Sequence, residues 1–235
     1  MEARTGNRSK ERAVRQMFCD IAPHYDLVNR LMSWGQDNRW RRVAVSLARP
    51  ERGRALDVAT GTGDMALELA RHTGSVVGLD LCWEMLSRGQ TKAEKKGLGS
   101  SIDLIMGDAL ALPFSDDSFD CVVNGFALRN VADIGLFLSE QRRVVKPGGR
   151  VVCLELVRPA SGLVGTCYRF YLNRIVPVLG RWLSGDSRAY RYLPDSVGSF
   201  FSVIEFQKMM KEAGFHQVGY RSLNLGTIAV HVGVK

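Results

Sequence analysis

The 235-residue chain contains no apolar run near the ~18 residues needed to span a bilayer. Its N-terminal stretch, Met1 to Arg12, is polar and lacks the apolar core of a secretion signal. Export is not expected, and a cytoplasmic location is. The five cysteines (Cys19, Cys82, Cys121, Cys153 and Cys167) are odd in number, scattered, and form no C-x-x-C pair. That excludes a disulfide framework and predicts reduced cysteines that serve packing. The four histidines (His24, His72, His216 and His231) show no metal-ligand spacing, so no metal is expected. There is no internal repeat and no low-complexity linker. One domain with a sizeable core suits this length, and a hydrophobic content of 46% is ordinary for a globular protein.

Charge is present in excess, at +8 net. The basic residues are dispersed, with mild clusters at Arg4, Arg8, Lys10, Arg12 and Arg15 and at Arg39, Arg41 and Arg42. No aromatic-interleaved basic stripe accompanies them. A solvated basic face is the first reading, an anionic membrane surface the second and nucleic acid the third. No nucleic-acid partner is expected.

The chain is organised around Arg54 to Ala66. A short apolar run, Ala55 to Val58, ends in the turn Thr60-Gly61-Thr62-Gly63, and a helical pattern through Met65, Leu67, Leu69 and Ala70 follows. Strand, glycine turn and helix in that order present free N–H groups to a ligand, because the glycines let it approach the backbone. Gly61-x-Gly63-x-x-Ala66 also fits a dinucleotide fingerprint, so the turn alone leaves NAD and S-adenosylmethionine open. Asp57 tilts the choice. A carboxylate just upstream repels a pyrophosphate and attracts a sulfonium ligand with a free amino group. The bland alternative is that Asp57 caps a local turn.

Helical spacing is seen from Ala13 to about Leu31, interrupted by Pro23, and again from Trp40 to Leu47. Residues 1–12 are expected to be frayed, and 1–50 to form an N-terminal helical cap. A core over 51–157 alternates strands (54–58, 75–81, 102–106, 119–125, 150–156) with helices (64–72, 84–96, 134–145). This predicts a parallel sheet covered on both faces. Residues 158–201, with Tyr168, Arg169, Phe170, Tyr171, Trp182, Tyr190, Arg191 and Tyr192, break the rhythm and read as a helical insertion over the sheet's carboxyl edge. Over 202–235 a last helix (203–213, with Gly214 as C-cap) precedes an edge hairpin of strands 217–223 and 227–234. The fold class is α/β: a mostly parallel, Rossmann-like sheet of seven strands with an antiparallel edge.

Asp80 ends the second strand about 20 residues after Gly61, where an acid accepts hydrogen bonds from ribose hydroxyls. Asp108 and Ala109 follow the third strand, where an acid can meet an adenine edge; a turn aspartate is the alternative. Each acid is weak evidence alone, but Asp57, Asp80 and Asp108 together point into one crevice at the strands' carboxyl ends. Gly125, closing the fourth strand, permits close approach. Arg129 just beyond it can stabilise an oxyanion or simply form a salt bridge. Tyr25 and Asn29 share a helical face, suited to sealing the crevice or to plain packing.

Tyr25-Asp-Leu-Val-Asn29 with Ser33 and Trp40, Gly61-Thr62-Gly63-Asp64, Phe126-Ala-Leu-Arg129-Asn130, Arg143-Val-Val-Lys-Pro-Gly-Gly149 with Leu154-Glu155, Ala189-Tyr190-Arg-Tyr192-Leu-Pro-Asp-Ser196 and the closing Gly226 to Lys235 are together specific. From about Ala13 onward the chain resembles the ubiquinone/menaquinone biosynthesis C-methyltransferases, a class I S-adenosylmethionine-dependent group. It departs from their pattern at Ala127 (a glycine in the family), Asp37 (often a histidine) and Val157 (usually a serine). The resemblance implies methylation of a ring carbon on a prenylated quinol drawn from the membrane. The donor would be S-adenosylmethionine, which the family holds at the positions of Thr62, Asp80, Asp108, Ala109 and Gly125; the glycine turn read on its own adds Asp57, Gly61 and Gly63. The menaquinone branch is the expected one; the ubiquinone branch, both branches, or more distantly an RNA methyltransferase are alternatives. Arg129 and Tyr25 are the expected catalytic residues, as oxyanion partner and hydrogen-bonding orienter. Peripheral contact with the membrane's inner face is expected through the insertion. Oligomeric state is left open, a homodimer included.

Overall fold

Ala55–Val58, Val76–Leu79 and Cys121–Asn124 are buried end to end, as strands covered on both faces must be. They are the centre of a seven-stranded sheet in a computed structural model that describes residues 2–50, 53–158, 162–178, 187–198 and 200–235. The strands are β1 (Arg54–Val58), β2 (Ser75–Asp80), β3 (Ile102–Met106), β4 (Phe119–Gly125), β5 (Val145–Leu156), β6 (His216–Leu223) and β7 (Ile228–Val234), in the order β3-β2-β1-β4-β5-β7-β6. All pairs from β3 to β5 are parallel, and β7 runs antiparallel between β5 and β6. The order reverses between β1 and β4, which opens the ligand crevice expected of such sheets beside Val58 and Gly125.

Successive strand residues feed opposite faces. Leu56, Val58 and Val122 pack with Phe137, Phe206 and Met210, while Ala55, Cys121 and Val123 pack with Trp40, Ala44 and Leu69. The covering helices are α3 (Asp37–Ala48), α4 (Asp64–Leu69), α5 (Trp83–Lys95), α6 (Ile134–Val144) and α9 (Val203–Glu212). Helix α9 opens with a reciprocal Ser202–Glu205 capping box. It closes on Gly214, whose φ of +87° is the left-handed C-cap that glycine tolerates.

Helices α1 (Glu2–Ile21) and α2 (Tyr25–Met32), broken at Pro23, lie over the sheet's carboxyl edge together with the insertion. The insertion comprises α7 (Leu163–Phe170), a π-helical turn (Tyr171–Ile175) and α8 (Ser187–Gly198). Ile21, Val28, Leu172, Val176 and Val197 bind these parts into a separate apolar cluster. Trp182 and the side chains of Tyr190 and Arg191 lie outside the described residues.

Three expectations are corrected. Helix α1 begins at Glu2, so residues 2–12 are helical rather than frayed. Strand β5 begins at Val145, before Pro147, because Val145 pairs with Phe119 and a bulge then shifts the register to Cys121–Arg150. Cys19 of α1 and Cys82 at the start of α5 are joined as a disulfide, with their Cα atoms 5.8 Å apart; the fold brings together two cysteines 63 residues apart, which spacing could not reveal. Cys121, Cys153 and Cys167 are free.

Candidate active site

Each of the first four strands ends at the same edge, and the residues after them line one cavity of about 320 Å³. Asp80 forms its acidic wall. Its Oδ2 accepts the Gly61 N–H at 2.8 Å and its Oδ1 the Cys82 N–H at 3.0 Å. Burial pushes the Asp80 carboxyl above its usual range, against the pull of these amides. Gly61 holds the turn at φ +57°, and a Cβ there would meet nothing within 4 Å. The turn's backbone is thus bare towards the space before it. Asp108 Oδ1 accepts the Leu110 N–H at 2.8 Å, which fixes the loop carrying Ala109. Gly125 borders the cavity, and a Cβ there would come 3.1 Å from Met65 Cε. Met85, Leu110 and Val131 supply apolar walls.

The other expected cofactor residues stand behind this wall. Asp57 is 1% exposed; its Oδ2 accepts the Thr60 hydroxyl at 2.5 Å, and burial raises its carboxyl to about 7. Its Oδ1 lacks a well-formed hydrogen bond. Asp57 therefore shapes the turn from below. The Thr62 hydroxyl donates to Asp26 Oδ1 of α2 at 2.5 Å, and Gly63 takes φ +78° where α4 begins.

A second cavity, about 340 Å³, adjoins the first. Met17, Met32, Trp40, Tyr168, Tyr171 and Tyr192 make it aromatic and apolar, and Arg41 and Arg129 are the cations in its lining. Arg129 Nε donates to Glu155 Oε1 at 2.7 Å and Nη1 to Ser196 Oγ at 2.9 Å. Both the arginine and the glutamate are deeply buried. Nη2 makes no hydrogen bond among the described residues. Both readings of Arg129 thus coexist: it is salt-bridged and it also faces the cavity.

Phe18, Tyr25, Phe126 and Asn130 line both cavities and so form the wall between them. Phe126 sits at φ +60°, an unfavourable backbone region for a bulky residue. Its ring rests against Trp40 and under the Arg41 guanidinium. Burial raises the Tyr25 hydroxyl above its ordinary value despite Arg41, so it stays protonated at neutral pH. Tyr25 and Asn29 do share the cavity-facing side of α2, while Asp26 points elsewhere. Glu155, Asn130 and Phe18 escaped the sequence reading as site residues. Glu155 had a signal, being a further acid at a strand's carboxyl end, next to β4.

Of the family departures, Ala127 is buried and lines the first cavity, and Val157 is buried next in the chain to Leu156, which lines the second. Asp37 accepts from Ser33 at 3.1 Å, from Arg41 at 2.5 Å and from Arg30 at 3.2 Å. It is a structural hub at the second cavity's rim.

The doubly wound sheet with its antiparallel edge, the bare glycine turn and the strand-end acids define a class I S-adenosylmethionine-dependent methyltransferase. The solved S-adenosylmethionine-dependent methyltransferase of Thermotoga maritima, a possible histamine N-methyltransferase, shares the fold. Its TM-score is 0.67 at 20% identity, over 94% of this chain and 99% of that one. More specifically, the chain belongs to the ubiE/COQ5 methyltransferase family, whose model matches residues 6–235. It is 48% identical to the demethylmenaquinone methyltransferase of Thermus thermophilus, over 92% of this chain and 99% of that one. It is 45% identical to the ubiquinone/menaquinone biosynthesis C-methyltransferase UbiE of Geobacter sulfurreducens, over 96% and 90% respectively. S-adenosylmethionine is the co-substrate, and the first cavity fits it. Its volume suits a nucleoside ligand, its acids suit ribose hydroxyls and a cationic donor, and the absent Cβ at Gly61 leaves the turn open.

Proposed function

We infer that this enzyme methylates a ring carbon of a prenylated demethylnaphthoquinol, turning demethylmenaquinol into menaquinol. The observation that carries this reading is the pair of cavities, one acid-lined and one aromatic, meeting at Phe18, Tyr25, Phe126 and Asn130. The co-substrate supplies an electrophilic methyl group on a sulfonium. A hydroquinone carbon becomes nucleophilic when the neighbouring phenol loses its proton. A carbon–carbon bond then forms as the carbon–sulfur bond breaks, and loss of the ring proton restores aromaticity. Arg129, held by Glu155 with Nη2 to spare, stabilises the phenolate oxygen. Tyr25 donates a hydrogen bond that orients the ring, and a water carries off the phenol proton. The wall sets the approach of the two carbons.

The polyprenyl tail requires a route from a bilayer. No helix among the described residues is long and apolar enough to cross a membrane. Leu27 and Leu31 are exposed on α2 and Trp34 in the turn that follows it, and Leu163, Phe170 and Val178 are exposed along the insertion. Trp34, 82% exposed, also lines the aromatic cavity. Apolar residues beside Arg30, Arg169 and Arg174 form a surface for peripheral contact with an anionic leaflet on the cytoplasmic side.

Removing the gene and analysing the host's quinones by mass tests the substrate. Accumulation of demethylated naphthoquinone is expected. Accumulation of a benzoquinone precursor alone would assign the ubiquinone branch, and an unchanged quinone profile would refute the reading.

A further inference from the structure

Lys92, on α5, lies outside both cavities and is mostly buried. Its Nζ donates to oxygens on three different segments: Asp26 Oδ2 of α2 at 2.9 Å, Thr62 Oγ1 of the glycine turn at 3.0 Å and Asp64 Oδ1 of α4 at 2.5 Å. The Thr62 hydroxyl donates in turn to the other oxygen of Asp26. Asp64 also lies 3.7 Å from Arg41 Nη2. Burial alone would raise its carboxyl, but Lys92 and Arg41 outweigh that and hold it below the usual range. Lys92 reaches this point because α5 packs directly on the turn. A Cβ on Gly89 would come within 3.3 Å of the Thr62 backbone.

The tie bears on α2. With 8 residues and no side-chain N-cap bond, α2 is too short to hold itself, so tertiary contacts set its place. Asp26 and Tyr25 are neighbours whose side chains diverge by about 100° on a helix. With Asp26 gripping the glycine turn, Tyr25 lies in the wall between the cavities. We propose that Asp26 and Lys92 are positioning residues that clasp the first turn of α2 to the glycine turn, closing the donor cavity and setting Tyr25 against the acceptor in one movement. The proposal rests on the methyl-transfer reading only where turnover is measured.

The test uses the full-length protein, with Asp26→Asn, Lys92→Met and the double variant. The readouts are the Kd of S-adenosylhomocysteine, kcat and KM for a short-tailed demethylmenaquinol, and Tm. Each single variant is expected to weaken nucleoside binding roughly tenfold and to lower kcat at least as much. KM for the quinol should change little, and the double variant should be no worse than Lys92→Met. Tyr25→Phe should cost less in the Lys92→Met background than in the wild type. Losses that multiply in the double variant, or a fall in Tm with kcat and Kd within twofold of wild type, would overturn the clasp. If Lys92→Met does not fold, Lys92→Arg, which keeps the charge opposite an intact Asp26, should retain most of the wild-type turnover while Asp26→Asn loses it. Failure to do so counts against the proposal. If the wild type methylates no quinol, the functional reading fails, while the binding cycle still decides the clasp.

Discussion

Arg129 carries two duties, and its variants should separate them. Truncation to alanine would leave Glu155 buried and unpaired, a loss of about 3–5 kcal/mol that confounds any rate measurement. Arg129→Lys keeps the charge but not the planar fork, so it cannot hold Glu155 and Ser196 together while presenting a third nitrogen. It should lower kcat by roughly 10²-fold, the scale of a lost oxyanion donor, with S-adenosylhomocysteine affinity within about threefold of wild type. Calorimetry beside steady-state kinetics checks the split, and equal losses would contradict the role. Asp57 gives a pH signature. Its folded-state value, near 7 against an ordinary 3.8, means that the folded protein binds a proton the unfolded chain has released across that interval. This group's contribution to stability is therefore full below about pH 4 and is lost as pH rises through 7. Asp57→Asn should flatten that component, so the wild-type minus variant difference in unfolding free energy should fall between pH 4 and 7 in denaturant titrations. A difference that rises with pH would contradict the assignment.

Helix α5 meets the glycine turn through Gly89, where a Cβ would press Leu104 Cδ1 at 2.9 Å and the Thr62 backbone at 3.3 Å. Gly89→Ala should cost about 1–3 kcal/mol by overpacking and should weaken nucleoside binding, because the turn itself must give. Chemical denaturation and a binding titration measure the two losses, and an unchanged protein would show that the turn is not held from this side. At this scale the sequence was most legible. Unalternating apolar runs marked the buried strands, and the acids that close β2 and follow β3 marked the crevice because strand ends converge by topology. What stayed hidden depended on contacts distant in sequence. Cys19 meets Cys82 only because α1 folds over α5. Arg129 meets Glu155 only because β4 and β5 are neighbours. The early start of β5 turned on a bulge that no hydrophobic pattern announces. The true office of Asp26, beside a tyrosine that drew the eye, required the position of Lys92.

Exposed Leu27, Leu31 and Trp34 and the insertion's Leu163, Phe170 and Val178 leave apolar surface on the whole molecule, and no helix among the described residues is long and apolar enough to cross a bilayer. Sedimentation with vesicles should therefore show binding to anionic lipid that weakens as salt rises. Leu163→Ser with Phe170→Ser should abolish it while leaving methylation of a water-soluble quinol analogue within about twofold, since both side chains are exposed and neither lines a cavity. Equal binding to neutral vesicles and by the variant would contradict this surface. The proposed mechanism depends on two cavities that share one wall. A crystal structure with S-adenosylhomocysteine and a short-tailed demethylmenaquinol tests it most directly. The expected result places the adenosine between Asp80 and Asp108, the sulfur beside Gly125, and the quinol ring across Tyr25 and Phe126 with an oxygen on Arg129. Both ligands in one cavity, or the ring remote from Arg129, would contradict it.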